Sequence, residues 1–225
     1  MSSGLRLLVL GDSIPVQNTT EGCWISWPTL LERKAEQTSG VDDLPLSVVN
    51  HAQGGYNSGD LIDGSIGATN WAEKVSSVDF ELVAFWFGAN DHAIDPGETL
   101  PRVSEASYEY YIGQIIDKLK LETNPSPFND GKPRILCMSP PYVYNSGGMD
   151  APRLYRYAQI ARRVASLKVV FFLDTYLIMA AACGWNQELY KQAFLFPDSP
   201  VHLHTRGHAV LMPHIEAKLR QMIYE

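Results

Sequence analysis

Five short apolar runs in this chain lack the alternation of apolar and polar residues that is typical of a half-exposed strand. They are rich in Val, Ile, Leu and Phe, and they read LRLLVL, LSVVN, FELVAFWF, RILCMS and KVVFFLD. Continuous apolar runs of this length are typical of strands that are covered on both faces, as in parallel sheets. The runs therefore predict a buried parallel β-sheet at the centre of the fold.

Segments with a helical spacing of apolar residues separate these runs. They read WISWPTLLERKAEQ, SEASYEYYIGQIIDKLKLE, PRLYRYAQIARRVASLK and, near the end of the chain, GHAVLMPHIEAKLRQMI. Strands that alternate with helices form parallel sheets through right-handed crossovers, which place helices on both faces. We therefore predict an α/β fold over residues 1–225, namely a flavodoxin-like three-layer α/β/α sandwich with a five-stranded parallel sheet in one domain.

Charge and cysteine usage narrow the class of protein. The formal net charge is −7 at pH 7, which argues against electrostatic binding to nucleic acid or to an anionic membrane. The apolar run near the N-terminus has five residues, which is too short for the core of a signal peptide, and no stretch of the chain is apolar for long enough to span a membrane. Cys23, Cys137 and Cys183 are widely separated and suit reduced, mostly buried thiols. We expect a cytoplasmic protein, and the sequence leaves its oligomeric state undetermined.

Polar residues and glycines directly follow several predicted strands. GDS at residues 11–13 follows the first strand, NHAQGG at 50–55 the second and GAND at 88–91 the third, while DSPVH at 198–202 precedes the last helix. In an open parallel sheet the carboxyl ends of the strands face one crevice, so these segments would converge. A hydroxyl, an imidazole, a carboxamide and backbone N–H groups would then share one site. Acyl transfer needs that set of groups.

The same segments resemble the sequence blocks of the SGNH, or GDSL, hydrolase superfamily. LVLGDSI followed by SWPTLLERK is similar to the nucleophile block and first helix of that family, and VVNHAQGGYNSGDL to its glycine block. FGANDHA is similar to the Gly-x-Asn-Asp block, ILCMSPPYV to the strand that follows it, and VHLHTRGHAVL to the histidine block. One block alone is a weak signal, but four in the family's order cover nearly the whole chain.

The resemblance implies a serine hydrolase of carboxylic esters with short- to medium-chain acyl or acetyl groups, without a cofactor or metal. Ser13 would be the nucleophile, His202 the general base and Asp198 the residue that orients the imidazole. The backbone N–H groups of Ser13 and Gly55, with the side-chain amide of Asn90, would form the oxyanion hole. The expected partner is a small-molecule ester, with no nucleic acid and no membrane span.

One position departs from the family pattern. The family places an aspartate three residues before the histidine, whereas here Ser199 occupies that position and Asp198 lies four residues before His202. The loop could absorb the extra residue and bring Asp198 to the imidazole. Alternatively, the site is a Ser13–His202 dyad whose imidazole is held by Ser199 or by a backbone carbonyl. We predict Asp198 as the orienting residue.

Two other functions compete with this interpretation. His202, His204 and His208 have the spacing H-x-H-x₃-H, which could bind zinc in a metal-dependent hydrolase. A catalytically weak module that binds an acylated ligand is the second alternative, and it draws on the displaced Asp198. A chelator would inactivate the metal-dependent enzyme but not a serine hydrolase.

Loops at the predicted crevice supply candidates for substrate binding. We predict loops over residues 141–152 and 184–200, since binding loops gather at this edge of an α/β sheet. Tyr56, Tyr142 and His92 are the candidate side chains for lining an acyl or alcohol pocket, and ordinary loop packing is the alternative role for them. Nothing in the sequence selects one ester among the many that the family hydrolyses.

Overall fold

A computed structural model describes residues 4–16, 25–37, 46–122, 127–128 and 130–225 of the chain. Its strands are β1 (Leu5–Gly11), β2 (Leu46–Asn50), β3 (Leu82–Trp86), β4 (Arg134–Met138) and β5 (Phe171–Leu173). They form one five-stranded sheet in the order β2-β1-β3-β4-β5, and all four pairings are parallel. The predicted α/β fold and parallel sheet are confirmed, and the strand order is that of the flavodoxin-like type.

Helices cover both faces of this sheet. They are α1 (Trp27–Gln37), α2 (Gly64–Trp71), α3 (Glu105–Leu119), α4 (Ala151–Leu167), α5 (Thr175–Ala182), α6 (Gln187–Phe194) and α7 (Thr205–Tyr224). Helix α1 packs against α7 on one side, and α3 packs against α4 on the other. The segment 184–200 was expected to be a loop, but it contains α6, whose first turn is capped by the Asn186 side chain.

Strands β1 and β3 are buried, apart from the partly exposed Leu5 and Arg6 at the start of β1. Every residue of β3 is buried, and β3 pairs with β1 from Leu7↔Leu82 to Gly11↔Trp86. Trp86 fills the space next to β4 and donates its indole N–H to the carbonyl of Ser139 at 2.6 Å. Because helices cover both faces, neither strand needs polar residues at alternate positions. The free thiols of Cys137 and Cys183 are buried, while Cys23 lies outside the described residues.

Gly11 lets the ends of β1 and β3 lie close together, and Gly88 does the same for the segments after β3 and β4. A Cβ atom on Gly11 would lie 2.6 Å from the carbonyl oxygen of Trp86. Gly88 has φ of +124°, and a Cβ atom there would lie 2.8 Å from Cγ of Pro140. A side chain at either position would force the strand ends apart. After β1 the chain adds β2 on one side of it and then β3 on the other side. The crevice between the carboxyl ends of β1 and β3 is where ligands bind in folds of this class.

Candidate active site

Ser13 and His202 meet at the carboxyl end of the sheet. Ser13 lies two residues after β1, and His202 lies in the loop before α7, 189 positions further along the chain. The Ser13 Oγ is 2.8 Å from Nε2 of His202, and both side chains are half-buried. The structure therefore brings the predicted nucleophile within hydrogen-bonding distance of the predicted base.

The turn that carries Ser13 is held from two directions. The Oδ1 atom of the Asp12 carboxyl group accepts the backbone N–H of Ile14 at 2.9 Å, which closes the turn around Ser13. The backbone N–H of Gln53 donates to the carbonyl of Gly11 at 3.0 Å, which ties the loop after β2 to the end of β1. These two hydrogen bonds fix the backbone of the turn and so fix the position of the Ser13 side chain.

The glycine loop after β2 lies directly against Ser13. A Cβ atom on Gly54 would lie 3.9 Å from Cβ of Ser13. Gly55 has φ of +83°, a conformation that favours glycine, and it is exposed. Within the described part of the chain, the backbone N–H groups of Ser13 and Gly55 have no protein acceptor. Both donors are therefore available to a ligand at the serine.

Asn90 follows β3 and is fixed at both ends of its amide. Its Nδ2 donates to the carbonyl of Tyr56 at 2.8 Å, and its Oδ1 accepts from Nη1 of Arg102 at 3.3 Å. Arg102 is itself paired with Asp95 at 2.6 Å. Because an amide nitrogen carries two hydrogens, one N–H of Asn90 stays available after the bond to Tyr56. No sequence motif indicated the role of Arg102.

The residue on the other nitrogen of His202 is Ser199, and the prediction of Asp198 is corrected. Ser199 Oγ is 2.9 Å from Nδ1 of His202. The Ser199 N–H donates to the carbonyl of Phe196 at 3.1 Å, which makes a β-turn with Pro197 and Asp198 at its centre. Asp198 is therefore at the tip of the turn with its side chain exposed, while Ser199 returns toward the imidazole.

Burial lowers the pKa of the His202 imidazole below its ordinary value. The charged form of the ring is disfavoured because it would lose water on entering the site. The ring is therefore neutral near pH 7, which is the state in which it can accept a proton from a hydroxyl.

Comparison with known proteins assigns a family to this arrangement. Residues 9–210 match the sequence model of the GDSL-like Lipase/Acylhydrolase family. The chain belongs to this family. It is a carboxylic ester hydrolase with the SGNH-type fold. No curated protein matches the sequence at a significant level.

Solved structures with the same fold cover almost the whole of this GDSL-family hydrolase. A catalytic mutant of Axe2, an acetylxylan esterase from Geobacillus stearothermophilus, has a TM-score of 0.72 at 20% identity and covers 100% of this chain and 97% of its own. A lipase/acylhydrolase from Enterococcus faecalis has a TM-score of 0.70 at 18% identity, with 96% of each chain covered. LAE5, an alpha/beta hydrolase enzyme from the metagenome of Lake Arreo, Spain, has a TM-score of 0.72 at 17% identity and covers 99% and 98% of the two chains. At these identities the likeness concerns the fold.

Two buried carboxyl groups, those of Asp12 and Asp91, hold the loops of the active site of this GDSL-family hydrolase in place. Burial raises the pKa of Asp12 from 3.8 to about 8, and burial raises that of Asp91 to about 6. Asp91 Oδ1 accepts the backbone N–H of Ser58 at 2.9 Å and also its hydroxyl. Asp12 therefore braces the serine turn, and Asp91 joins the loop after β3 to the loop after β2.

The raised pKa of Asp12 predicts that stability falls as pH rises. The folded state holds this proton more tightly than the unfolded chain, so its contribution is complete below about pH 4 and is lost as pH rises through about 8. Asp12→Asn keeps an oxygen for the N–H of Ile14 and removes the titration. We expect the decline in unfolding free energy between pH 5 and 8 to become shallower by up to about 1.4 kcal/mol per pH unit, measured by urea denaturation. Asp198→Asn, which changes an exposed carboxyl, is the control and should retain the wild-type slope; an equal slope in Asp12→Asn would contradict the assignment.

His92 is a buried structural residue, which corrects its prediction as a substrate contact. Its Nδ1 donates to the carbonyl of Ala89 at 2.8 Å, and its Nε2 accepts the N–H of Asp150 at 3.4 Å. Burial lowers the pKa of His92 to about 4, so the ring is neutral. Its side chain has no exposed surface, and it holds the loop after β3 against the N-terminus of α4.

The two tyrosines predicted to line a pocket also serve packing or loop geometry. Tyr142 is only 5% exposed, and its ring makes edge contacts with Tyr176 and Tyr190. This corrects its prediction as a substrate contact, because a ring that is covered by other rings cannot also face a ligand. Tyr56 is half-buried and donates its hydroxyl to Asn70 at 3.0 Å, while its carbonyl receives the amide of Asn90. Its carbonyl fixes the Asn90 amide, and its role as a substrate contact stays a prediction.

The three histidines near α7 lie in different environments. His202 faces Ser13, whereas His204 is exposed and accepts the backbone N–H of Arg206 at 3.3 Å as the N-cap of α7. His208 is buried, and burial lowers its pKa to about 3. Among the described residues, no three His, Cys, Asp or Glu side chains are placed to hold one metal ion. Within the same residues no helix is long and apolar enough to cross a membrane.

Proposed function

We propose that this hydrolase cleaves esters of small acyl groups through an acyl-enzyme on Ser13, with His202 as the general base. The observation that carries the proposal is the 2.8 Å approach of Ser13 Oγ to Nε2 of His202. As Oγ bonds to the acyl carbon, Nε2 takes the hydroxyl proton. Collapse of the tetrahedral intermediate breaks the bond to the alcohol oxygen, which receives that proton. Water then attacks the acyl-enzyme by the same route and releases the acid.

The negative oxygen of the tetrahedral intermediate would be stabilised by three N–H donors. These are the backbone N–H groups of Ser13 and Gly55 and the second N–H of the Asn90 amide. They come from the turns after β1, β2 and β3, so the sheet itself sets their separation. Donors that are already in place stabilise developing charge without a reorganisation cost.

Acetyl and other short acyl groups fit the surroundings of Ser13 best. Gln53, Gly54 and Gly55, which follow β2 beside the serine, are exposed, and they offer backbone and polar atoms in place of an apolar wall. Two structures that share the fold are catalytic mutants of an acetylxylan esterase, one replacing a serine and one a histidine by alanine. Those two residue types form the pair that meets here, which supports an acetyl-esterase assignment.

Covalent labelling tests this proposal directly. A fluorophosphonate should form one adduct per chain, and peptide mass spectrometry should locate that adduct on Ser13. The Ser13→Ala variant should remain unlabelled, and p-nitrophenyl acetate should give a higher kcat/KM than the butyrate or octanoate ester. A chelator should leave turnover unchanged. An adduct at another residue, or labelling that persists in Ser13→Ala, would refute the assigned nucleophile.

A further inference from the structure

We propose that Ser199 takes the place of the acid in the catalytic triad, so that a neutral hydroxyl positions His202. The inference rests on the proposed function, since it concerns the base in that reaction. Ser199 Oγ lies 2.9 Å from Nδ1, while Ser13 Oγ lies 2.8 Å from Nε2 on the other side of the ring. The imidazole is therefore held between two serine hydroxyls.

The loop fixes the hydroxyl of Ser199 relative to the backbone of the histidine. Ser199 Oγ accepts the backbone N–H of His202 at 2.9 Å and that of Val201 at 3.3 Å, in addition to its contact with the ring. The base of the loop is closed by an antiparallel bridge between Leu195 and Leu203 and by the N–H of Phe196, which donates to the carbonyl of His202 at 3.1 Å. Side chain and ring thus belong to one closed loop, and the N–H of Tyr144 ties this loop to the segment after β4 by donating to the carbonyl of Pro200 at 2.9 Å.

The hydrogen bonds of Ser199 determine which nitrogen of His202 carries the proton. A serine oxygen has two lone pairs and one hydrogen. When one lone pair is shared by the two backbone N–H groups and the other accepts the Nδ1–H of His202, Nε2 is bare and accepts the proton of Ser13. The hydroxyl of Ser199 can instead donate to Nδ1, and the ring proton then lies on Nε2, where it blocks the base. A carboxylate cannot donate, so an aspartate would permit only the productive tautomer.

A hydroxyl at Nδ1, where a triad has a carboxylate, also changes the charge balance of the reaction. His202 becomes positively charged when it takes the proton of Ser13, and a hydroxyl offers that charge a dipole in place of a full negative charge. Burial lowers the pKa of His202. Among the described residues, the charged or titratable groups on the elements around the loop are Asp12 after β1, Asp91 after β3, Glu188 and Lys191 on α6 beside Tyr144, and Asp198 and His204 on the loop itself. The ring therefore stays a neutral, competent base at a lower pH than it would beside an aspartate at position 199.

Substitutions at position 199, followed by pH profiles of kcat/KM, test the proposal. We expect Ser199→Asp to move the acid limb of the profile to higher pH by roughly 1 to 3 pH units, because an opposite charge then faces the imidazolium. Ser199→Ala should lower kcat/KM by about 10-fold, the effect of one neutral hydrogen bond, and Ser199→Thr should restore it because it keeps the hydroxyl. Asp198→Asn is the matched control on the neighbouring residue and should leave rate and profile unchanged.

The tautomer of His202 can be measured by NMR without turnover, and it distinguishes a positioning role of Ser199 from a purely structural one. In the Ser13→Ala background, the ¹⁵N shifts of the His202 ring should report a mixture of tautomers with Ser199 and one Nδ1–H tautomer with Ser199→Asp. Unchanged profiles in Ser199→Asp and Ser199→Ala would overturn this inference, as would an acid limb that moves in Asp198→Asn. If Ser13→Ala itself retains activity, the proposed function fails; if Ser13→Ala is inactive but the Ser199 variants match wild type, only this inference fails.

Discussion

Ser13→Ala is expected to lower kcat for p-nitrophenyl acetate by roughly 10⁵- to 10⁶-fold, because the variant has no group that can form the acyl-enzyme. Ser13 Oγ makes its hydrogen bond with His202 and is not part of the core, so the midpoint of thermal unfolding should stay near the wild-type value. KM should change little, since the N–H donors around the serine remain. Initial rates on purified protein, with calorimetry on the same samples, provide the measurement.

A second variant, His202→Ala, tests whether Ser13 and His202 act together in one catalytic step or contribute to the rate independently. Because the base acts only through the nucleophile, His202→Ala should lose nearly as much activity as Ser13→Ala, and the double variant should lose no more than either. Losses that multiply in the double variant would show that the two residues do not act in one step. Residual activity above about 1% in Ser13→Ala would indicate another nucleophile.

Asn90→Ala is expected to lower kcat by about 10²- to 10³-fold, equivalent to about 3 to 4 kcal/mol of transition-state stabilisation. The amide is held on one side by the carbonyl of Tyr56 at 2.8 Å and on the other by Arg102 at 3.3 Å. The orientation of the amide is therefore fixed before substrate arrives. The loss should fall on kcat more than on KM, because the donor acts mainly on the oxygen charge that develops in the transition state.

Two further variants distinguish a donor from a structural brace at this position. Asn90→Asp has nearly the same shape but no N–H, so it should be as slow as Asn90→Ala while it keeps the contact with Arg102. Arg102→Met keeps the donor but releases its orientation, and we expect a smaller loss of about 10-fold. Asn90 would have no part in the oxyanion hole if Asn90→Ala stayed within threefold of wild-type kcat with an unfolding midpoint lowered by several degrees.

The elements that could be predicted from the sequence are those whose pattern lies within one short segment of the chain. All five strands were predicted, because burial on both faces leaves an uninterrupted apolar run in the sequence itself. Helix α6 was missed, since its eight residues, QELYKQAF, are mostly polar and short, and only Tyr190 among them is buried. Ser13, Asn90 and His202 could be selected as candidates because each lies in a short motif at the end of a strand or the start of a helix, and the structure places Ser13 beside His202.

Contacts between distant segments determine which loop residues are buried and which can face a ligand. His92 and Tyr142 lie in loops at the correct edge of the sheet, yet both are buried, His92 by Asp150 and α4 and Tyr142 by aromatic rings of α5 and α6. Nothing adjacent to them in sequence distinguishes a loop residue that faces a ligand from one that faces the core. Their burial depends on which other segments arrive at the same place.

The sequence by itself determined the parallel sheet and the hydroxyl, imidazole and carboxamide at its carboxyl edge, because apolar runs and strand-end motifs are properties of neighbouring residues. Only the tertiary structure decided which group holds Nδ1 of His202. Asp198 and Ser199 are adjacent, and both could reach it by residue type. The β-turn from Phe196 to Ser199 places the aspartate at an exposed tip and returns the serine to the ring, and the path of that turn is set by how its loop closes onto the rest of the protein.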